Sequence, residues 1–127
     1  MQGHPEAPRL WEKHCDCILQ AIGFIPTVHE PCLYSDHIDG DKVYFKRQVD
    51  DFAIAAPDAH TADLLLDMLD NKLSIPIKRQ GHIDMYNGVD VLQTRHYIRL
   101  SCTSFIEKIS EKYLATWMKH LYAPSTR

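Results

Sequence analysis

Asp50 and Asp51 stand side by side between two strand-forming runs, Lys42 to Val49 and Phe52 to Ala56. Aspartate is depleted in strands, and two neighbouring carboxylates repel each other. A divalent cation offsets that repulsion. Paired carboxylates on a rigid bend are material for two-metal phosphoryl transfer. The competing reading is an ordinary hairpin turn, and spacing alone leaves both open. A second set of possible ligands is His14-Cys15-x-Cys17 with His29-x-x-Cys32, among 8 histidines. Its spacings are not those of paired zinc ligands, and Cys15 falls on the apolar face of a predicted helix. Zinc therefore ranks well behind the aspartate pair.

The elements that would position these residues follow from periodicity. Trp11, Cys15, Ile18, Leu19 and Ile22 form one stripe and predict an amphipathic helix over Ala7 to Ile22, with Pro8 in its first turn and Gly23 as its stop. Cys32 to Tyr34 reads as a short strand. Asp36 to Asp41 contains an Asp-Gly turn, and Lys42 to Val49 returns as a strand. Pro57-Asp58 opens a helix whose stripe is Ala62, Leu65, Leu66, Leu69 and Leu73. Ile83 to Leu92 and His96 to Leu100 are further strands. A last helix is predicted from Thr103 to Met118, capped by Ser101 or Thr103, with Phe105, Ile106, Ile109, Tyr113 and Leu114 inward. Strand pairs alternating with helices predict an α+β fold, an antiparallel sheet with helices packed on one face. Residues 1–121 are expected to form one domain, and 122–127 a frayed tail.

Composition is that of a globular protein, with 45% hydrophobic and 24% charged residues in 127. A net charge of -3 argues against a free-standing nucleic-acid binder. No apolar run approaches the ~20 residues that span a bilayer. The first residues lack the basic start and apolar stretch of a signal peptide. Cys15, Cys17, Cys32 and Cys102 show no disulfide framework, so reduced thiols and an intracellular setting are expected, with no membrane partner.

In this order the motifs resemble copia-type retrotransposon reverse transcriptases. Gly3-His-Pro-Glu-Ala7-Pro8-Arg9-Leu10-Trp11 looks like the family's Gly-Leu-Lys-Gln-Ala-Pro-Arg-Leu-Trp. Gly23-Phe24 and Glu30-Pro31-Cys32-Leu33-Tyr34 are similar to Gly-Phe … Asp-Pro-Ser/Cys-Leu-Tyr. Gln48-Val49-Asp50-Asp51 matches the Tyr-Val-Asp-Asp box except at its first residue. Gly88-Val89-Asp90-Val91 resembles Gly-Ile-Glu-Val. Ile98-x-Leu100-Ser101 with Phe105-Ile106-Glu107-Lys108-Ile109 resembles Ile-x-Leu-Ser … Tyr-Ile-Glu-Lys-Leu. The match is collinear from Gly3 to about Leu114.

The resemblance implies a truncated polymerase palm and RNA-directed DNA polymerase chemistry on a template-primer with dNTP, using Mg2+ or Mn2+. It makes Asp50 the main metal ligand and Asp51 its neighbour. It makes Lys78 a proton donor to pyrophosphate, and places Gly3, Arg9 and Gln48 beside nucleic acid or nucleotide. An ion pair of Arg9 with Glu6 or Glu12 is the plainer role for that arginine, and Trp11 is expected in the core. Glu6 and Gln48 depart from the family's glutamine and tyrosine. The family's first metal-binding aspartate, in Asp-Val-x-x-Ala-Phe, has no counterpart in these residues. This polypeptide alone is therefore expected to have little or no activity, with an exposed edge beside the hairpin. A second reading keeps the fold as a non-catalytic binding or assembly module, a retroelement remnant or a recruited protein.

Overall fold

The structure is a computed structural model that describes residues 5–74 and 76–121, with side chains as far as Trp117. Gly3 and the tail 122–127 lie outside the described residues. The chain has three helices and two antiparallel sheets, the expected α+β class. It divides into two compact units, Met1–Arg79 and Gln80–Arg127.

The first unit begins with helix α1, Ala7–Ala21, with proline in its first turn. It ends in a Schellman turn. Gly23 N–H donates to Gln20 O at 3.0 Å and Phe24 N–H to Leu19 O at 2.9 Å. Gly23 sits at φ 103°, and a Cβ there would come within 2.5 Å of Asp36 Oδ2. Conformation is what requires glycine here, since the Asp36 carboxylate could swing away from a Cβ. Strands β1 (Ile25–Pro26), β2 (Leu33–Ile38), β3 (Asp41–Gln48) and β4 (Asp51–Ala55) follow, adjacent in that order. Asp39 and Gly40 both have positive φ, 52° and 91°, the signature of the type I′ turn that joins β2 to β3. Among the described residues β4 pairs only with β3, so its outer edge is open.

Alternation along β3 buries Val43, Phe45 and Arg47 and leaves Lys42 and Tyr44 exposed. The buried face meets Cys15 and Leu19 of α1, and Leu65, Leu69 and Leu73 of helix α2, Ala59–Leu73. Both helices thus cover one face of the sheet. Asp58 caps α2 by accepting from Thr61 N–H at 2.7 Å. After α2 the chain is tied back to the helix. Asp70 accepts from Ile77 N–H at 2.9 Å, and Arg79 pairs with Asp63 and Asp70 at 3.5 and 3.0 Å and with Asp67.

The second unit is a three-stranded sheet, β5 (Met85–Tyr86), β6 (Val89–Gln93) and β7 (Ile98–Ser101), and helix α3, Thr103–Leu121. Two sheets therefore replace the single one expected. The run Ile83 to Leu92 is broken by Asn87 (φ 50°) and Gly88 (φ 77°), a type I′ hairpin turn. The start of α3 is capped by Asp90, which accepts from Ser104 N–H at 2.9 Å, and not by Ser101 or Thr103. The inward stripe expected on α3 is also corrected. Phe105, Ile106, Tyr113 and Leu114 are more than half exposed. Three short strands offer too little apolar area to cover a helix of 19 residues. Among the described residues no helix is long and apolar enough to cross a membrane.

Four carboxyls that accept backbone hydrogen bonds set an acid limit on stability; one, Glu30, is lowered first by Lys46 and then by its bond from Cys32. Asp58 is lowered mainly by its bond from Thr61, Asp70 by that from Ile77, and Asp90 by those from Ser104. A group depressed in the folded state contributes stability above its unfolded value and loses it as pH falls through its folded value. The melting temperature is expected to hold near neutrality and to fall below the ordinary carboxyl value of 3.8. A scan of melting temperature against pH checks this. Asp58→Asn, which still caps, should make the acid fall shallower.

Candidate functional site

The acidic pair lies at the tip of the β3–β4 hairpin. Gln48 pairs with Asp51 across the ladder, so the two-residue loop is Val49-Asp50, and Asp51 opens β4. Gln48, Asp50 and Asp51 are therefore brought together. Both aspartates are exposed, and neither side chain takes part in an ion pair or hydrogen bond among the described residues. The strand pairing puts Asp51 and Gln48 on the sheet face opposite the helices, together with Lys46 and Tyr44. Lys42 Nζ lies 5.4 Å from the centre of the Tyr44 ring.

Val49 has φ 53°, in the left-handed region that a β-branched residue rarely enters. With positive φ at only the first loop position, the turn has the φ pattern of type II′, where glycine is preferred. Such a residue stores roughly 1–3 kcal/mol of strain and persists only when its surroundings enforce it. Trp11 contacts this residue directly. Its indole Nε1–H donates to Val49 O at 3.1 Å, fastening the hairpin tip to the first turns of α1. Trp11 is thus more than the core residue read from the sequence. Val49→Gly relieves the strain, keeps the carbonyl and loses little packing, because Val49 is 62% exposed. After the entropy cost of glycine it is expected to stabilise the fold by about 1 kcal/mol in urea unfolding.

Behind the tip, α1 is bolted to the sheet by a polar network that no local signal marks. Arg47, 5% exposed, donates through Nη2 to Glu12 Oε1 at 2.8 Å and to Cys32 Sγ at 3.4 Å. Tyr34 O–H donates to Asp16 Oδ1 at 3.0 Å. Burial disfavours charge on Arg47, but the bond to Glu12 and the nearness of Cys32 and Tyr34 outweigh it and raise its pKa. Cys15 is pushed up to about 11, first by burial, with Arg47 opposing and Asp50 adding. It is a neutral core thiol, and the charge on Asp50 reaches the core side of the hairpin. Tyr34 is pushed up to about 12, first by burial and then by Asp16.

The other candidates are dispersed. Arg9 is exposed on the first turn of α1 and pairs with Glu6 at 3.7 Å. Lys78 is exposed on the segment after α2, with no ion pair among the described residues. Among the described residues no group of three or more His, Cys, Asp or Glu is placed to hold a metal ion. That holds for the zinc reading of His14, Cys15, Cys17, His29 and Cys32. Two adjacent hard carboxylates suit magnesium or manganese and not a soft metal.

Comparisons with known proteins bear on the same residues. The family model described as "Reverse transcriptase (RNA-dependent DNA polymerase)" matches residues 1–127. A Saccharomyces cerevisiae protein named "Putative transposon Ty5-1 protein" is 30% identical over 113 residues, 88% of this chain and 36% of the relative. The chain therefore spans little more than a third of that relative's length. No solved structure matches the chain. With the Val-Asp-Asp hairpin in place and the family match running over the whole sequence, the chain belongs to the reverse transcriptase (RNA-dependent DNA polymerase) family, as the copia-type resemblance implied.

Proposed function

We propose that the chain is the palm-like part of a retrotransposon polymerase, and that Asp50 and Asp51 serve nucleotidyl transfer from a dNTP to a primer 3′-hydroxyl. The observation that carries this reading is the acidic pair at the tip of a strained, Trp11-anchored hairpin in a chain of this family. A rigid platform matters because phosphoryl transfer depends on accurate placement.

In this reading Asp50 and Asp51 hold Mg2+ or Mn2+, with Asp50 the stronger ligand. The bound cations supply charge neutralisation at the phosphoryl oxygens and acidify the attacking hydroxyl. Gln48, beside Asp51 in the ladder, orients the primer end by hydrogen bonding. The open sheet face, with Lys42, Tyr44 and Lys46, suits a nucleic-acid strand, its cations meeting phosphates and its ring a base or sugar. Arg9, on the first turn of α1, meets template or nucleotide phosphate, and Gly3 contributes to the same contact. Lys78 donates a proton to the leaving pyrophosphate. The setting is intracellular.

Further carboxylate ligation comes from the polypeptide of which this chain is part. Two carboxylates alone bind magnesium weakly. The 127-residue chain by itself is therefore expected to give little or no magnesium-dependent primer extension. Joined to the upstream part of its polymerase it should extend a primer on RNA and on DNA templates. Efficient extension by the isolated chain would contradict the proposed division of ligands.

A further inference from the structure

We propose that the groove between α1 and the β2–β3 strands is a second site, one that binds a phosphate group, free or as a phosphomonoester. Arg9, Glu12, Lys13 and Asp16 of α1 line one wall, and Tyr34 and Arg47 lie beneath. The groove is separate from the Asp50–Asp51 tip, neither of which lines it.

The case rests on an accounting of donors and acceptors. The carboxylates are already engaged. Asp16 accepts from Tyr34 O–H through Oδ1 and from Gln20 Nε2 through Oδ2, and Glu12 accepts from Arg47. The donors are in excess. The Nε–H of Arg47 is buried and has no acceptor, and Lys13 has no ion pair among the described residues. Arg9 is held only by an exposed pair with Glu6 at 3.7 Å. With Glu6 counted beside Arg9, three cations meet three carboxylates, yet the Nε–H of Arg47 stays orphaned, and a buried guanidinium N–H is a costly group to leave unmatched. An anion that offers several acceptor oxygens in one plane or fork matches these donors best. That is the chemistry of phosphate on arginine. A cation finds no free carboxylate there, and an apolar ligand would leave the same donors unmatched. Nε is covered, so a phosphate reaches the guanidinium by exchange, taking the place of the 59% exposed Glu12 carboxylate on Arg47.

The test is a nitrogen-detected NMR titration of the full chain with inorganic phosphate, then with glycerol 3-phosphate, against sodium chloride at matched ionic strength. Saturable shifts are expected at the Arg47 Nε–H and at the Lys13 and Asp16 amides, with a dissociation constant on the order of 1 mM. Exposed Lys13→Ala should weaken binding about fivefold. Glu12→Gln, which removes the competing carboxylate, should tighten it about tenfold. Arg47→Lys should abolish it; if that variant fails to fold, the Lys13 and Glu12 variants decide. Asp50→Asn should leave it unchanged, which separates this site from the proposed polymerase chemistry. Shifts that do not saturate by roughly 50 mM, equal shifts from chloride, or binding indifferent to both Lys13→Ala and Glu12→Gln would overturn the proposal.

Discussion

Asp50→Asn, made in a polypeptide that joins this chain to the rest of its polymerase, is expected to lower primer extension by roughly a thousandfold. The substitution keeps the shape of the side chain and removes its charge. A carboxylate that holds a catalytic cation is worth several kcal/mol of transition-state stabilisation, and each 1.36 kcal/mol is about tenfold in rate. Asp51→Asn is expected to lose less, roughly 10- to 100-fold, because the role proposed for it is that of a supporting ligand. Neither change should alter folding, since both side chains are exposed and bonded to nothing among the described residues. Unfolding curves recorded beside the rates separate the two effects. Equal rates for the wild type and Asp50→Asn would remove Asp50 from the chemistry.

Phe45→Ala is expected to have the largest effect on stability, about 3–5 kcal/mol. Phe45 is 1% exposed and sits on the central strand β3. Its ring meets Tyr34 edge-on at 6.4 Å and Phe52 at 5.1 Å between ring centres. With Cys15, Leu19 and Leu69 it closes the space between the sheet and both helices. An alanine there leaves a cavity bounded by three elements, none of which can collapse without moving the others. The same core fixes the inward face of the hairpin, so the acidic tip should lose its register as well. Urea unfolding measures the loss; a change below about 1 kcal/mol would mean that the packing around Phe45 is not as described.

Much of this was legible in the residues, because the informative signals were local. Period-two alternation from Val43 to Arg47 gave a half-buried strand, Asp39-Gly40 gave its turn, and Pro57-Asp58 gave the start of α2. What local chemistry could not give was the exact bend. The turn falls on Val49-Asp50, where valine at positive φ runs against every propensity, and its side-chain tie comes from Trp11, 38 residues away. The burial of Arg47 was hidden for the same reason. Its partners Glu12 and Cys32 come from other elements, and nothing near it in sequence marks it as buried. The Asn87-Gly88 turn was present as a strong hairpin signal inside an apolar run that reads equally well as one strand. The α3 stripe followed helical periodicity correctly, but periodicity reports an apolar face and not what covers it.

The most direct test of the account titrates the isotopically labelled chain with manganese and reads paramagnetic broadening of the backbone amides. The account predicts that Gln48, Val49, Asp50 and Asp51 broaden first and that Asp50→Asn removes the effect. Broadening that begins elsewhere, at Asp63, Asp67 and Asp70 on α2 or at Asp39 and Asp41 in the β2–β3 turn, and leaves the hairpin tip untouched would contradict it.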